Sequence, residues 1–498
     1  MMEETIPAAL SAAAERFGAR EALADGDVRL TYRELRAHAR DVAGFLVNAG
    51  VHRGDRVAIC APNTWHWVVA ALGTLTAGAT LVPINTRFTA RETSDILRRS
   101  DAAALIITGT FLGVDRLADL GGEHPPTVLR IPVEGEETPR DGVTEWADIP
   151  HYVGALPQVG PDDVSDILFT SGTTGQSKGA MTSHRRTLAV ADAWGECGEL
   201  SERDRYLVVN PFFHSFGYKA GIVAALLRGV AIVPQRTFDV HETLRLIESE
   251  RISVLPGAPT IYQVLLDAPE RLTHDLSSLR LAVTGAATVP EALVERMQTE
   301  IGFETVLTGY GLTEAVVATM SRPGDDKATV ARFSGRATAG FEVKLGEFGE
   351  VLLRGPNMML GYLDDPEATA KAIDADGWLH TGDVGVLDDR GYLRITDRIK
   401  DMYVVGGFNV YPAEVEQALA WLDGVAESAV IGVPDKLLGE VGKAFILRRG
   451  ELSEEDVFAY CKKNLANYKQ PRFVEFRDEL PRNASGKVLK RVLREENP

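Results

Sequence analysis

The chain has 498 residues, with 53 Lys and Arg against 71 Asp and Glu, a formal net charge of −18. That balance excludes a general nucleic-acid binder, which carries a basic footprint, and a content of 45% hydrophobic and 25% charged residues excludes a disordered chain. The length implies about two to four domains. Cys60, Cys197 and Cys461 lie far apart with no C-x-x-C spacing, which excludes a zinc knuckle or disulfide framework and reads as small buried hydrophobes in a reducing cytoplasm. The N-terminal MMEETIPAAL carries acids where an export signal needs a basic region.

Along the chain, Thr31-Tyr32-Arg33-Glu34 is a capping box, in which hydroxyl and carboxylate satisfy each other's orphan amides. Leu35, Val42 and Leu46 continue it at helical spacing, Gly50 ends it, and Arg56–Ile59 follows as a strand. The apolar stretch Trp65–Ile84 is broken by Gly73, Thr74, Thr76, Gly78 and Thr80, so it predicts a buried helix, a turn and a strand and no stable membrane insertion. Short apolar strands recur at Ala104–Thr108, Arg205–Val209, Ala231–Val233, Ser253–Leu255 and Leu281–Thr284 with helix-length segments between them. The rhythm is α/β, with mostly parallel sheets covered on both faces. Residues 121–162, with Pro125, Pro126, Pro132, Pro139, Pro150, Pro157 and Pro161 among many acids, read as a surface excursion. From about Gly340 a β-rich section begins, with strands at Glu350–Arg354 and Tyr392–Ile395 and a turn at Asp388-Asp389-Arg390-Gly391. The last hundred residues form a compact α/β domain with strands at Ala429–Val433 and Lys443–Leu447 and a helix over Ser453–Leu465.

The most informative stretch is LFTSGTTGQSKGAM, Leu168–Met181. A strand runs into a loop whose glycines, Gly172 and Gly175, let backbone N–H groups turn inward, while Thr170, Ser171, Thr173 and Thr174 add hydroxyls and Lys178 a charge. Such a loop suits phosphate. It is no Walker A loop, because Lys178 precedes Gly179 and the β-favouring Met181-Thr182, so a hairpin is expected rather than a helix.

This motif resembles the signature of the adenylate-forming superfamily of acyl-CoA synthetases, peptide-synthetase adenylation domains and luciferases. Further signatures follow in that family's order: Tyr310-Gly311-Leu312-Thr313-Glu314, Trp378-Leu379-His380-Thr381-Gly382-Asp383, DRIKDMYVVGGFNVYPAEVE over Asp397–Glu416, and Pro481-Arg482-Asn483-Ala484-Ser485-Gly486-Lys487. Segments such as APNTWHWVVA, NPFFHSFGYKAG and VTGAATVPEALVERMQ look most like actinobacterial ligases that attach CoA to polycyclic, steroid- or terpenoid-derived acids.

The resemblance implies a large ATP- and acyl-binding domain over 1–397, a hinge at 398–400 centred on Lys400, and a small mobile domain over 401–498. It implies an AMP-forming carboxylic acid:CoA ligase that uses ATP, Mg²⁺ and coenzyme A on a bulky acid, first making acyl-AMP and pyrophosphate and then the thioester. Lys487 would bridge carboxylate and α-phosphate, with Lys490 and Arg491 nearby as solvated charges. Glu314 would hold Mg²⁺, Thr313 reach the α-phosphate, Tyr310 stack on adenine beside Gly311, and Gly285-Ala286-Ala287 form the strand end on which adenine lies. Asp383 and Arg398 would contact the ribose, and His214 would sit by the acyl carboxylate. Phe216, Gly217, Tyr218, Gly221, Gly257, Ala258, Thr260 and Gly309 would line the acyl pocket, and Gly406, Gly407 and Phe408 the pantetheine tunnel. Departures at Ala337, where the family usually has proline, and in the short Val343–Glu350 hairpin leave open a half-enzyme taking acyl-AMP from a partner ligase; a same-fold alternative is acyl transfer to a carrier protein. A homodimer is a further expectation.

Overall fold

The computed structural model describes residues 3–497 except 135–138, 171–176, 286–288, 399–400, 406–407, 437, 466 and 483–487, and of Asp397, Arg398, Phe408 and Asn409 the backbone. By contacts the chain divides into two compact units, Met1–Glu342 with Arg354–Gly377, and Val343–Leu353 with Trp378–Pro498.

In the first unit the Thr31 box forms as expected: Glu34 N donates to Thr31 Oγ1 and Thr31 N to Glu34 Oε2, opening the helix Tyr32–Asn48. Trp65–Thr76 is an almost wholly buried helix and Thr80–Pro83 a buried strand. An eight-stranded sheet runs in the order Gly361–Tyr362, Lys178–Ser183, Val164–Thr170, Thr80–Pro83, Arg56–Cys60, Ala102–Thr108, Thr127–Ile131, Val143–Glu145. It is parallel from Val164–Thr170 onward, and its two first strands are antiparallel. Its central strands are buried along almost their whole length because both faces are covered.

Residues 121–162 do not form only a surface excursion. Thr127–Ile131 is a core strand, because the prolines flank its apolar run rather than interrupt it. Arg130 has no accessible surface and forks onto Glu145 of the neighbouring strand at 2.9 and 2.6 Å. Ser253–Leu255 is also less than a full strand: Val254 makes single parallel bridges to Tyr206 and Leu281; Pro256, lacking an N–H, cannot donate on toward the Tyr206 side, while Leu255 N and Gly257 N still donate to Leu281 O and Val283 O. Those bridges join the sheet Arg205–Val208, Ala231–Pro234, Glu21–Asp25, Val28–Thr31 to the sheet Leu281–Gly285, Thr305–Leu312, Ala315–Met320, Arg336–Ala337.

The second unit holds a four-stranded sheet of Glu342–Leu345, Glu350–Arg354, Leu379–Leu387 and Leu393–Arg398. The turn before its last strand is built as the sequence suggests: Asp388 Oδ1 accepts from Arg390 N and Tyr392 N, and Gly391 takes φ +80°. A five-stranded sheet follows, with the long hairpin Val425–Asp435 and Gly439–Arg448, Phe473–Arg477 parallel to it, and Tyr403–Val405 with Phe408–Val410 on the other side. The helix Glu454–Asn464 opens on a Ser453/Asp456 capping box.

All three cysteines are buried, and burial pushes the Cys60 thiol up to about 12 and Cys461 to about 11. Among the described residues no helix is long and apolar enough to cross a membrane.

Candidate active site

The phosphate-type motif folds as the expected hairpin. Thr170 pairs with Lys178 at its mouth, and the Thr170 hydroxyl donates to the Lys178 carbonyl at 3.3 Å. Ser171, Gly172, Thr173, Thr174 and Gly175 lie outside the described residues. The Lys178 ammonium stands 5.0 Å from the centre of the Tyr362 ring, a cation–π approach. The Tyr362 phenol donates to Glu314 Oε1 at 2.7 Å.

Thr313 and Glu314 form the two-residue reversal between Thr305–Leu312 and Ala315–Met320, with Leu312 opposite Ala315. Both are half-buried. Gly285 and Gly309 pair side by side in parallel strands, and a Cβ on Gly285 would stand 2.5 Å from the Gly309 carbonyl oxygen. No side chain fits there, which leaves a flat strand end beside the half-buried Tyr310. Across from Tyr310 and Gly311 the ladder slips at a bulge. Val317 there takes φ +55°, a left-handed conformation uncommon for a β-branched residue, and a Cβ on Gly311 would lie 2.6 Å from its nitrogen. Strain of this kind concentrates where function over-determines the backbone.

His214 lies in the loop Pro211–Ser215, which Asn63 holds: its side chain accepts from Phe212 N at 2.8 Å and donates to the carbonyls of Val208 and Asn210. The imidazole keeps an exposed edge although protein atoms surround it deeply, and that surrounding pushes its pKa down. Nδ1 accepts from Phe216 N at 3.3 Å, so the neutral ring carries its proton on Nε2. Phe216–Val223 then forms a π-helix, a form frequent at functional sites. Its Lys219 and the hairpin's Asp166 make a wholly buried ion pair at 2.8 Å.

A profile of AMP-binding enzymes matches residues 10–363, and one of the AMP-binding enzyme C-terminal domain matches residues 414–487. The chain belongs to the AMP-binding enzyme family. It is 58% identical to a protein of Rhodococcus jostii named 3-[(3aS,4S,7aS)-7a-methyl-1,5-dioxo-octahydro-1H-inden-4-yl]propanoyl:CoA ligase, over 99% of this chain and 98% of that one. A Mycobacterium tuberculosis protein of the same name is 56% identical with the same coverage. Among solved structures, an anthranilate CoA ligase with bound anthranoyl-AMP superposes with a TM-score of 0.90 at 29% identity over 100% of this chain and 99% of that one. ATP-bound MatB from Rhodopseudomonas palustris gives 0.89 at 31% identity over 99% of both. The chain is an acyl-CoA ligase of this family, using ATP, Mg²⁺ and CoA.

Among the described residues of this AMP-binding enzyme, no group of three or more His, Cys, Asp or Glu could hold a metal. Mg²⁺ needs no such group, since it takes one or two carboxylates with substrate phosphates and waters. Glu314 fits that use, with Oε1 engaged by Tyr362 and Oε2 left for a hard cation.

In the second unit Asp383 is buried and stands opposite Arg398 in the strand register, so the two residues assigned to ribose are neighbours. The Arg398 and Phe408 side chains, Lys400, Gly406, Gly407, Lys487, Ala286 and Ala287 lie outside the described residues. Lys490 is not the solvated charge expected: it meets Glu416 at 2.8 Å with 16% of its side chain exposed, because the two stand on helices, Lys490–Glu495 and Pro412–Leu419, that both pack on the strand Val425–Asp435. Arg491 is exposed and pairs with Glu495 along its own helix.

The acyl-pocket candidates divide. Phe216 and Ala258 are half-buried and Thr260 is exposed. Tyr218 has no accessible surface and packs against Trp67, and Gly217 presses on the Pro211 carbonyl. Gly221 rests on Val208, and Gly257 donates to Val283 O. Sequence reasoning missed Tyr362, Asn63, Asp166 and Lys219. Only Lys219 carried a local signal, a lone charge inside the apolar run Phe-Gly-Tyr-Lys-Ala-Gly-Ile-Val.

Proposed function

We propose that this ligase activates a fused-ring propanoic acid bearing ring ketones, the substrate class its actinobacterial relatives are named for, and that it carries out both half-reactions itself. The substrate class rests on the relatives at 58% and 56% identity. The observation that supports both half-reactions most is the Lys178, Tyr362, Glu314 chain, which joins the phosphate hairpin to a carboxylate oxygen suited to a hard cation.

In the first half-reaction a carboxylate oxygen of the acid attacks the α-phosphorus of ATP, and the bond to the β-phosphate bridge breaks to release pyrophosphate. The hairpin 170–178 cradles the phosphates, with Lys178 opposing their charge. When bound, Mg²⁺ on Glu314 neutralises charge building on the phosphate oxygens. Tyr310 and the Gly285/Gly309 strand end receive adenine, Asp383 and Arg398 the ribose. His214, neutral with its proton on Nε2, donates a hydrogen bond to the acid without the charge of an imidazolium, which would hold the carboxylate back from attack. Lys487 steadies the pentavalent charge.

In the second half-reaction the CoA thiolate attacks the acyl carbonyl and AMP leaves. We assign the pantetheine arm to Gly406, Gly407 and Phe408, the pivot to Lys400, and the acyl slot to Phe216, Gly221, Gly257, Ala258, Thr260 and Gly309. ATP and CoA supply and the reduced, buried thiols favour the cytoplasm. The test is a panel of fatty, aryl, fused-ring diketone and terpenoid propanoates with ATP, Mg²⁺ and CoA. Thioester from the fused-ring acids above all others is expected, and preference for a linear fatty acid would refute the assignment.

A further inference from the structure

We propose that Tyr362 is a positioning residue for adenylation: its phenol holds Glu314 in the rotamer that offers the second oxygen to phosphate-bound Mg²⁺, while its ring face seats Lys178. The proposal rests on the ligase reading above and extends it to a residue outside the sequence motifs quoted for that reading.

Gly361 and Tyr362 belong to a short segment that stitches two hairpins together. On one side Tyr362 pairs with Ala180 and Gly361 with Met181, next to the phosphate loop. Leu360 N donates to Met181 O, and Leu363 N to Gly179 O. On the other side Met358 bridges Ala315, and Met359 N donates to the Glu314 carbonyl at 2.7 Å. Arg186 clamps the segment, with one Nη on the Met358 and Met359 carbonyls at 2.8 and 2.7 Å. The Tyr362 backbone N–H is fixed on Thr369 Oγ1 at 2.9 Å. The ring therefore has little freedom, and it meets the only two charges that the ligase reading puts on the phosphates in this unit.

The chemistry follows from that placement. A free Glu side chain samples several rotamers and must be ordered each time a metal binds; one oxygen held by a neutral phenol leaves the other presented in advance. An aromatic face beneath Lys178 attracts the ammonium without neutralising it, so its full charge stays available to phosphate. A carboxylate in place of the ring would cancel that charge.

The experiment is calorimetric titration of the full chain with ATP and no acid, once with Mg²⁺ and once with EDTA. Partners that orient a metal ligand change affinity by about 10–100-fold when removed. Tyr362→Phe keeps the ring and the fold and should weaken ATP binding by about tenfold or more in Mg²⁺ while leaving the EDTA value within about twofold. Tyr362→Leu should weaken both, because Lys178 loses its seat. In a Glu314→Gln background Tyr362→Phe should add nothing. Thioester formation from synthetic acyl-AMP should stay within about twofold, since a positioning role in adenylation leaves that step alone. Equal weakening in Mg²⁺ and EDTA, additivity with Glu314→Gln, or equal loss of both half-reactions would overturn the proposal. Wild-type binding that ignores Mg²⁺ overturns the metal role assigned to Glu314 in the ligase reading as well; Mg²⁺-linked binding that survives Tyr362→Phe overturns this proposal alone.

Discussion

Replacing Lys219 by methionine removes one charge of a wholly buried pair and leaves the other. Lys219 Nζ lies 2.8 Å from Asp166 Oδ1 and 2.9 Å from Thr182 Oγ1, while Asp166 Oδ2 accepts from Ser165 and Thr187 at 2.7 and 2.8 Å. At an effective dielectric of about 20 the attraction at that separation is about 6 kcal/mol, and desolvating two ions costs several kcal/mol each, so the pair is close to neutral overall. Breaking it is different. An unpaired carboxylate buried under the phosphate hairpin should cost about 3–5 kcal/mol, as should Asp166→Asn with the lysine left alone. In Lys219→Met/Asp166→Asn no charge is stranded, and the double variant should recover about 2 kcal/mol or more relative to the sum of the singles. Urea unfolding followed by the fluorescence of Trp67 and Trp194, both buried in the same core as the π-helix, measures all three. A Lys219→Met loss below about 1 kcal/mol, or strict additivity, would refute the reasoning that the pair pins the π-helix to the hairpin.

Burial also pushes His66 down to about 3 and His184 to about 4. Both stay neutral in the fold and charge in the unfolded chain near pH 6.5. The unfolded state therefore binds more protons below that pH, and stability falls as pH drops from 7 to 5, by about 2 kcal/mol for each histidine. Urea midpoints at the two pH values check this, and His184→Gln should remove about half of the slope. Gly285→Ala sets a methyl 2.5 Å from a backbone oxygen; overpacking of about 1–3 kcal/mol should appear in melting together with a higher KM for ATP and an unchanged KM for CoA. Gly407→Leu should abolish thioester formation and spare pyrophosphate exchange, and loss of both would remove Gly407 from the CoA path.

The sequence carried what is local. A Thr and a Glu three residues apart announce a helix start, and the β-favouring Met181-Thr182 after Lys178 announces a hairpin, because both depend on neighbours along the chain. Tyr362 was invisible for the opposite reason. Its role comes from a partner strand at Ala180 and a carboxylate at Glu314, and nothing in Gly361-Tyr362 shows which residues they meet. Lys490 was misjudged by the general rule that long cations stay solvated, and the strand that holds Arg130 by the prolines and acids around it. Each lies beside an acid that only the strand register or the helix packing supplies, Glu145 and Glu416.

The most direct measurement of whether one chain performs both half-reactions is a single-turnover experiment with ATP, Mg²⁺ and a fused-ring diketone propanoate but no CoA. A complete ligase releases about one equivalent of pyrophosphate per active site, retains acyl-AMP, and converts it to thioester when CoA is added. No pyrophosphate in that vessel, alongside thioester from synthetic acyl-AMP and CoA, would contradict the assignment and leave an enzyme of the second half-reaction alone.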